Sequence, residues 1–155
     1  MKFTKTEKKT SKKKETEIGK EMYLFDTDSI SNLLKKKPFE KFVENISRLD
    51  KSDQYISTIS IGELVYGAFK SNNPQFYLEY LENILLPAVN VLGFDISAAF
   101  IYGKIRSELS TDGIVISGAD MQIASIAIAN NLVLITGNTR HFRHIRDLQI
   151  ENWLF

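Results

Sequence analysis

The stretch that most constrains the fold of this chain runs Ile116-Ser-Gly-Ala-Asp120-Met-Gln-Ile-Ala-Ser-Ile-Ala-Ile-Ala-Asn-Asn-Leu-Val-Leu-Ile-Thr136-Gly-Asn138-Thr-Arg-His-Phe142. Between Met121 and Ala129, the residues Ile123, Ala124, Ile126, Ala127 and Ile128 leave almost no polar face, which predicts a helix buried against a sheet. Asn130-Asn131 can stop that helix in the left-handed conformation that closes helices. Leu132 to Ile135 is apolar on both faces and suits a central parallel strand with helices above and below it. A helix feeding such a strand reads as the last part of a βαβ fold. In such folds, helix N-termini and strand carboxyl ends share the edge of the sheet where ligands bind. Asp120, in the first turn of the helix, and Asn138, just past the strand, both fall at that edge.

The rest of the chain repeats this unit. Met22-Tyr-Leu-Phe25 is a short apolar run ending in Asp26-Thr-Asp28-Ser29, after which Ile30, Leu33 and Leu34 resume at helical spacing. Lys35 to Lys37 close that short helix, and Pro38 opens another carrying Phe39, Phe42, Val43, Ile46 and Leu49. Tyr55 to Ile59 predicts a second strand, with Ser60-Ile-Gly-Glu63 beginning the next helix. Asn73-Pro74 starts a helix whose Tyr77, Tyr80, Leu81, Ile84 and Leu85 form one apolar stripe, read as core and not as a base-stacking platform. Val89 to Leu92 predicts a third strand, and Asp95 caps a helix with Ala98, Ile101, Tyr102, Ile105 and Leu109 facing inward. With an edge strand near Leu148 to Ile150, the order predicts an α/β fold. It is a three-layer α/β/α domain around a central, mainly parallel sheet of four or five strands.

Charge divides the chain in two. Residues 1–21 hold eight lysines and four glutamates, out of 20 basic and 19 acidic residues in the whole chain, so 22–155 is mildly acidic. That first segment has no hydrophobic periodicity and is expected to be a disordered, dispensable tail, or leader residues ahead of a start at Met22, with residues 22–155 forming one domain. An acidic body does not grip nucleic acid by bulk charge, so any nucleic-acid chemistry must come from a site. With no cysteine, a thiolate zinc site, a disulfide scaffold and a cysteine nucleophile are excluded. A chain without cysteine fits a reducing cytoplasm, and its lysine-rich start has no apolar run of the kind a secretory signal or membrane span needs.

Three acids, Asp26, Glu63 and Asp120, each sit where a strand or loop gives way to a helix. Ser60-x-x-Glu63 has the form of a capping box and Ser117-x-x-Asp120 nearly so, which supplies a purely structural reading for two of them. Asp26 differs, since Asp28 and Ser29 are available as caps. Gathered with Asn138 at one sheet edge, the three carboxylates would make an acidic cup. Repulsion inside it calls for a cation, and all-oxygen ligands suit Mg²⁺ or Mn²⁺.

Leu24-Phe-Asp26-Thr, Ser57-Thr-Ile-Ser-Ile-Gly-Glu63-Leu-x-Tyr-Gly67, Gly113-Ile-x-Ile-x-x-x-Asp120-x-x-Ile-Ala124 and Thr136-x-Asn138-Thr-x-x-Phe142 resemble, in this order, the motifs of PIN-domain nucleases. They resemble most the VapC-type toxins of bacterial toxin–antitoxin pairs, as does the ending Phe142-Arg-x-Ile-x-x-Leu-x-Ile-Glu-Asn-Trp153. The resemblance implies a metal-dependent endoribonuclease acting on RNA. It also implies Asp26, Glu63 and Asp120 as metal carboxylates, Asn138 as a further catalytic position, a cognate VapB-like antitoxin as partner, and a homodimer as a candidate assembly. Asn138 stands where many members of the family have a fourth Asp, and His141 where others have another acid. Asp28 stands where a small polar residue is commoner, and can replace some of the missing charge. A cation held this way acidifies a bound water and polarises a phosphodiester without a side-chain nucleophile. His141 and His144 are candidate acids or bases, and Arg140, Arg143 and Arg146 candidate phosphate contacts.

Two other readings remain open at this point. Phe25-Asp26-x-Asp28 with Leu-Ile-Thr136-Gly also resembles the opening motifs of haloacid-dehalogenase-type phosphatases, but residues 137–155 hold neither the lysine nor the paired acids which that family needs next. The alternative is a catalytically inactive PIN-like domain serving as a protein-binding module.

Overall fold

The computed structural model describes residues 20–155. Its five strands are β1 (Tyr23–Phe25), β2 (Gln54–Ser57), β3 (Asn90–Leu92), β4 (Val133–Ile135) and β5 (Ile150–Glu151), and all four pairings are parallel in the order β3-β2-β1-β4-β5. The chain builds outward from β1 to β3, then returns to the other side of β1 for β4 and β5. The order therefore reverses between β1 and β4, and a crevice opens beyond the carboxyl ends of that pair. Among the described residues, no helix is long and apolar enough to cross a membrane.

Alternation along the strands sorts the core into two layers. Leu24 and Leu134 face helices α6 (Ile96–Thr111) and α7 (Gly118–Ala129), packing with Ala98, Ile105, Ile123 and Ile126. Phe25, Val133 and Ile135 face the opposite way, onto Ile30 of α1 (Thr27–Asn32), Phe42 of α2 (Glu40–Ser47) and Leu64 of α3 (Thr58–Lys70), and onto Trp153. Leu134 and Ile135 are completely buried, so truncating either to Ala costs about 2–5 kcal/mol. As the sequence predicts, Asp95 caps α6, Asn131 carries a positive φ of 54° after α7, and Asn73 with Pro74 opens α4 (Pro74–Tyr80).

Several local details differ from the sequence expectation. Helix α3 begins at Thr58, where Ser57 ends β2 and accepts from Ser60 N, so Ser60 lies inside the helix instead of capping it. Helix α1 stops at Asn32, and the exposed Lys35 to Lys37 lie in the turn beyond it. Pro38 precedes α2, whose cap position is Phe39. Ile84, placed in the core by a 3.6-residue period, is 57% exposed. A π-helical turn at Leu81–Leu85 connects α4 to α5 (Leu86–Ala88), and its wider turn rotates the stripe so that Leu81 and Leu85 stay buried while Ile84 swings out.

Of the expected tail 1–21, only Lys20 and Glu21 lie within the described residues. Lys20 Nζ stands 2.7 Å from both Asp50 Oδ2 and Asp53 Oδ2, flanking and within the 3-10 turn Lys51–Asp53 that leads into β2.

Candidate active site

Asp26 directly follows β1, and its backbone N donates to Ile135 O at 2.9 Å, continuing the β1–β4 pairing by one step. Contrary to the expectation that Asp28 or Ser29 serves as the cap, Asp26 itself caps α1: its Oδ1 accepts from Thr27 N at 2.8 Å. Its Oδ2 accepts from the Thr136 hydroxyl at 2.8 Å. The side chain is almost wholly buried, and this burial, followed by the charge of Asp28, pushes its carboxyl up to about 7. The Thr136 and Thr27 hydrogen bonds work against that rise, and Asp120 adds to it.

Glu63 stands on the second turn of α3, the helix that Ser57 caps at the end of β2. Thr27 Oγ1 lies 3.1 Å from Glu63 Oε1 and 3.0 Å from Ser60 Oγ, bridging α1 to α3 across the mouth of β1 and β2. Asp120 stands in the first turn of α7, whose cap Ser117 accepts from Asp120 N at 3.1 Å. This is one half of the predicted capping arrangement. Partial burial raises the Asp120 carboxyl; the Ser117 hydroxyl and His141 hold it down, and Asp28 pushes it up. Asn138 N donates to Thr136 Oγ1 at 3.0 Å, and its amide Nδ2 is 3.0 Å from His141 Nδ1.

These pieces meet. Asp26, Asp28, Glu63, Asp120 and Asn138, with Thr27 and Ser31 between them, line one open cavity of about 310 Å³ at the carboxyl ends of β1 and β4. All four predicted positions therefore share one site. Among the described residues, no three His, Asp or Glu side chains converge as a ready-made ion cage. Asp26, Asp28 and Glu63 instead border a common space, each held by its own hydrogen bond. The donor set is entirely oxygen and acidic, which is the chemistry that hard divalent cations prefer.

The sequence reading passed over the two threonines that hold the acids. Thr136 is completely buried just past β4, and its hydroxyl serves two partners, donating to Asp26 and accepting from Asn138 N. A polar residue directly ending an apolar strand was the available signal. Asp28, read from the sequence as a candidate cap and as replacement charge, accepts from Gly137 N at 2.9 Å and so ties α1 to the loop after β4. Of the basic candidates, Arg146 pairs with Asp112 at 3.9 Å, while Arg140 and His144 are exposed around α8 (Thr139–Phe142). Beside the acidic cavity, and meeting it at Thr27, Ser31 and Glu63, lies an apolar groove of about 360 Å³ lined by Leu34, Leu64, Ala68, Tyr77 and Leu81.

The fold is shared with known proteins. The family model described as PIN domain matches residues 23–148. Ribonuclease VapC2 of Rickettsia felis is 35% identical over 133 residues, covering 85% of this chain and 98% of the relative. A Salmonella typhimurium protein named tRNA(fMet)-specific endonuclease VapC is 34% identical over 131 residues, covering 84% and 97%. The solved structure of VapBC2 from Rickettsia felis bound to a DNA fragment from their promoter matches with a TM-score of 0.78 at 34% identity, covering 85% of this chain and 98% of that one. With its acids gathered at the reversal point of a parallel sheet and relatives that align over nearly their whole length, this chain belongs to the PIN-domain family, among the VapC ribonucleases.

Proposed function

We propose that this protein is the toxin of a toxin–antitoxin pair, an endoribonuclease that depends on Mg²⁺ or Mn²⁺ and hydrolyses RNA phosphodiester bonds at the acidic cavity. The observation that carries the reading is the meeting of Asp26, Glu63, Asp120 and Asn138, from four separate stretches of chain, around one cavity. Asp26, Glu63 and Asp120 would hold the cation. The fit rests on the donor chemistry and on Asp26, a buried carboxyl pushed up to about 7 beside two further acids, which is the electrostatic burden that a divalent cation relieves. When bound, such a cation supplies an acidified water and polarises the phosphodiester.

The chain's own residues do the positioning. The Thr136 and Thr27 hydrogen bonds hold both oxygens of Asp26 in one orientation, and Thr27 steadies Glu63 from the adjacent helix. Asn138 brings a neutral amide to the rim, set by His141. Arg140, two residues past Asn138 and exposed, would meet an RNA phosphate where the acidic body would otherwise repel it. The Salmonella relative makes a tRNA the first substrate to try. A VapB-like antitoxin is the partner, and the apolar groove that runs into the acids at Glu63 gives its apolar residues a place to bind.

The test is cleavage of single-stranded and tRNA substrates by purified protein in EDTA, then with Mg²⁺ or Mn²⁺ restored. Cleavage should require the metal, and Asp26→Asn, Glu63→Gln and Asp120→Asn should each abolish it while circular dichroism stays native. A variant of this set that cuts as fast as wild type removes its residue from the assignment.

A further inference from the structure

Asp28 is the one acid lining the cavity that the proposed reaction leaves without a role. It lies on the first turn of α1, two residues beyond Asp26, and the loop after β4 holds one of its oxygens. Gly137 N donates to its Oδ2 at 2.9 Å, and Ser29 Oγ lies 3.3 Å from its Oδ1. The Gly137 contact brings Asp28 against the loop that carries Asn138, the neutral member of the ring. Gly137 has no room for a side chain, because a methyl on it would stand 2.8 Å from Leu154 Cδ1 and 2.9 Å from Asp28 Oδ2. Leu154 is itself buried in the layer with Phe25 and Trp153. The Asp28 carboxylate thus rests against a tightly packed turn while staying half-buried at the cavity. Its backbone hydrogen bond takes up one acceptor position and leaves the rest of its acceptor capacity, and all of its charge, to the cavity.

We infer that Asp28 is a fourth acidic member of the cation cup, held by Gly137 and supplying the negative charge that Asn138 lacks. The inference rests on the proposed metal site and assigns a further residue of this chain to it. The cup thus carries four carboxylates, Asp26, Asp28, Glu63 and Asp120, around an amide. The charge comes from α1 instead of from the loop after β4, and the Asp28–Gly137 hydrogen bond joins the two.

The test measures Mn²⁺ binding directly, by electron paramagnetic resonance titration of the full chain, independently of any cleavage. Asp28→Asn keeps an oxygen for Gly137 N and removes only the charge, so it should weaken Mn²⁺ about tenfold at low salt, as expected for deleting one charge within several ångströms of a divalent ion in a well-hydrated site. The deficit should shrink in high salt. Adding Asn138→Asp to that variant should restore most of the affinity, since it returns a carboxylate to the same ring. Should Asp28→Asn lose its native circular dichroism, Asp28→Ser replaces it in the same series. Wild-type affinity in a folded Asp28 variant, with Asp26→Asn binding lost, would overturn the role of Asp28 and leave the metal site standing. Equal binding by wild type, Asp26→Asn and Asp28→Asn would overturn both.

Discussion

The Thr136 hydroxyl donates to Asp26 Oδ2 at 2.8 Å, joining the ends of two neighbouring parallel strands through side chains 110 residues apart in sequence. The same hydroxyl accepts from Asn138 N, so its one proton belongs to Asp26. This relationship gives the site its shape before any ligand arrives.

Thr136→Val, nearly the same size, should therefore expose a charge-dependent loss. At pH 8 the ionised Asp26 loses a charge-assisted donor, worth about 1.5–3 kcal/mol, whereas near pH 5 the protonated carboxyl loses less. Urea unfolding at both pH values measures the gap. An equal loss at both would mean that the hydroxyl contributes packing and not charge stabilisation.

Stability should fall as pH rises from 5 to 8. Asp26 stands at about 7 in the fold against an ordinary 3.8, raised first by burial and then by Asp28, so the folded state holds this proton more tightly than the unfolded chain does. The contribution is fully present below about pH 4 and is lost as pH climbs through the folded value, a swing of order 4 kcal/mol. Asp120, raised mainly by its burial, acts in the same direction. Asp26→Asn should flatten the curve, and millimolar Mg²⁺ should recover the wild type at pH 8 in proportion to the logarithm of its concentration. A wild type whose stability is level across this range would remove the buried-acid account.

The sheet and its ligand edge were legible because they rest on long apolar runs: Leu132 to Ile135 could hardly be anything but a covered strand, and a buried helix ahead of it sets the topology. The acids were legible as residues because each interrupts such a run. Their supports were not. Thr136, Thr27 and Gly137 act through contacts between strand ends far apart in sequence, which periodicity does not encode. Capping was misread where several polar residues compete within four positions: Ser57 takes the role that Ser60 could have filled, and Asp26 the one open to Asp28 or Ser29. Ile84 was misplaced for a different reason, because a single π-helical turn breaks the period on which its burial was inferred.

Gly137→Ala should damage the site by sterics alone, since among the glycines of the described residues only Gly113 has a positive φ. Its methyl would press on Leu154 Cδ1 and Asp28 Oδ2, at a cost of about 1–3 kcal/mol. Leu154→Ala in the same chain removes one of the two clashes, so melting temperature should partly recover while cleavage stays low, because Asp28 remains displaced. Recovery of both together would show that Leu154, and not Asp28, limits the loop.

Lys20 is exposed, yet its ammonium reaches Asp53, whose side chain is only 5% exposed, as well as the exposed Asp50. A buried carboxylate that loses its nearby cation keeps its desolvation cost and loses the compensation, so the pairing matters more for Asp53 than for Asp50. The expectation that residues 1–21 can be removed without consequence therefore narrows to the residues before Lys20. Lys20→Met in the full chain, and a chain starting at Met22, should both melt at lower temperature than wild type. Asp53→Asn added to Lys20→Met should recover part of the loss by removing the stranded charge. Cleavage at a temperature where all variants are folded should be unchanged, because Asp53 leads into β2 at the end opposite Ser57 and the acidic cavity. High salt should screen the Asp50 pair and leave most of the difference between wild type and Lys20→Met intact. If Lys20→Met melts with wild type while the Met22 start does not, the stabilising contact lies among residues 1–19 or at Glu21, and the Lys20–Asp53 pair is incidental.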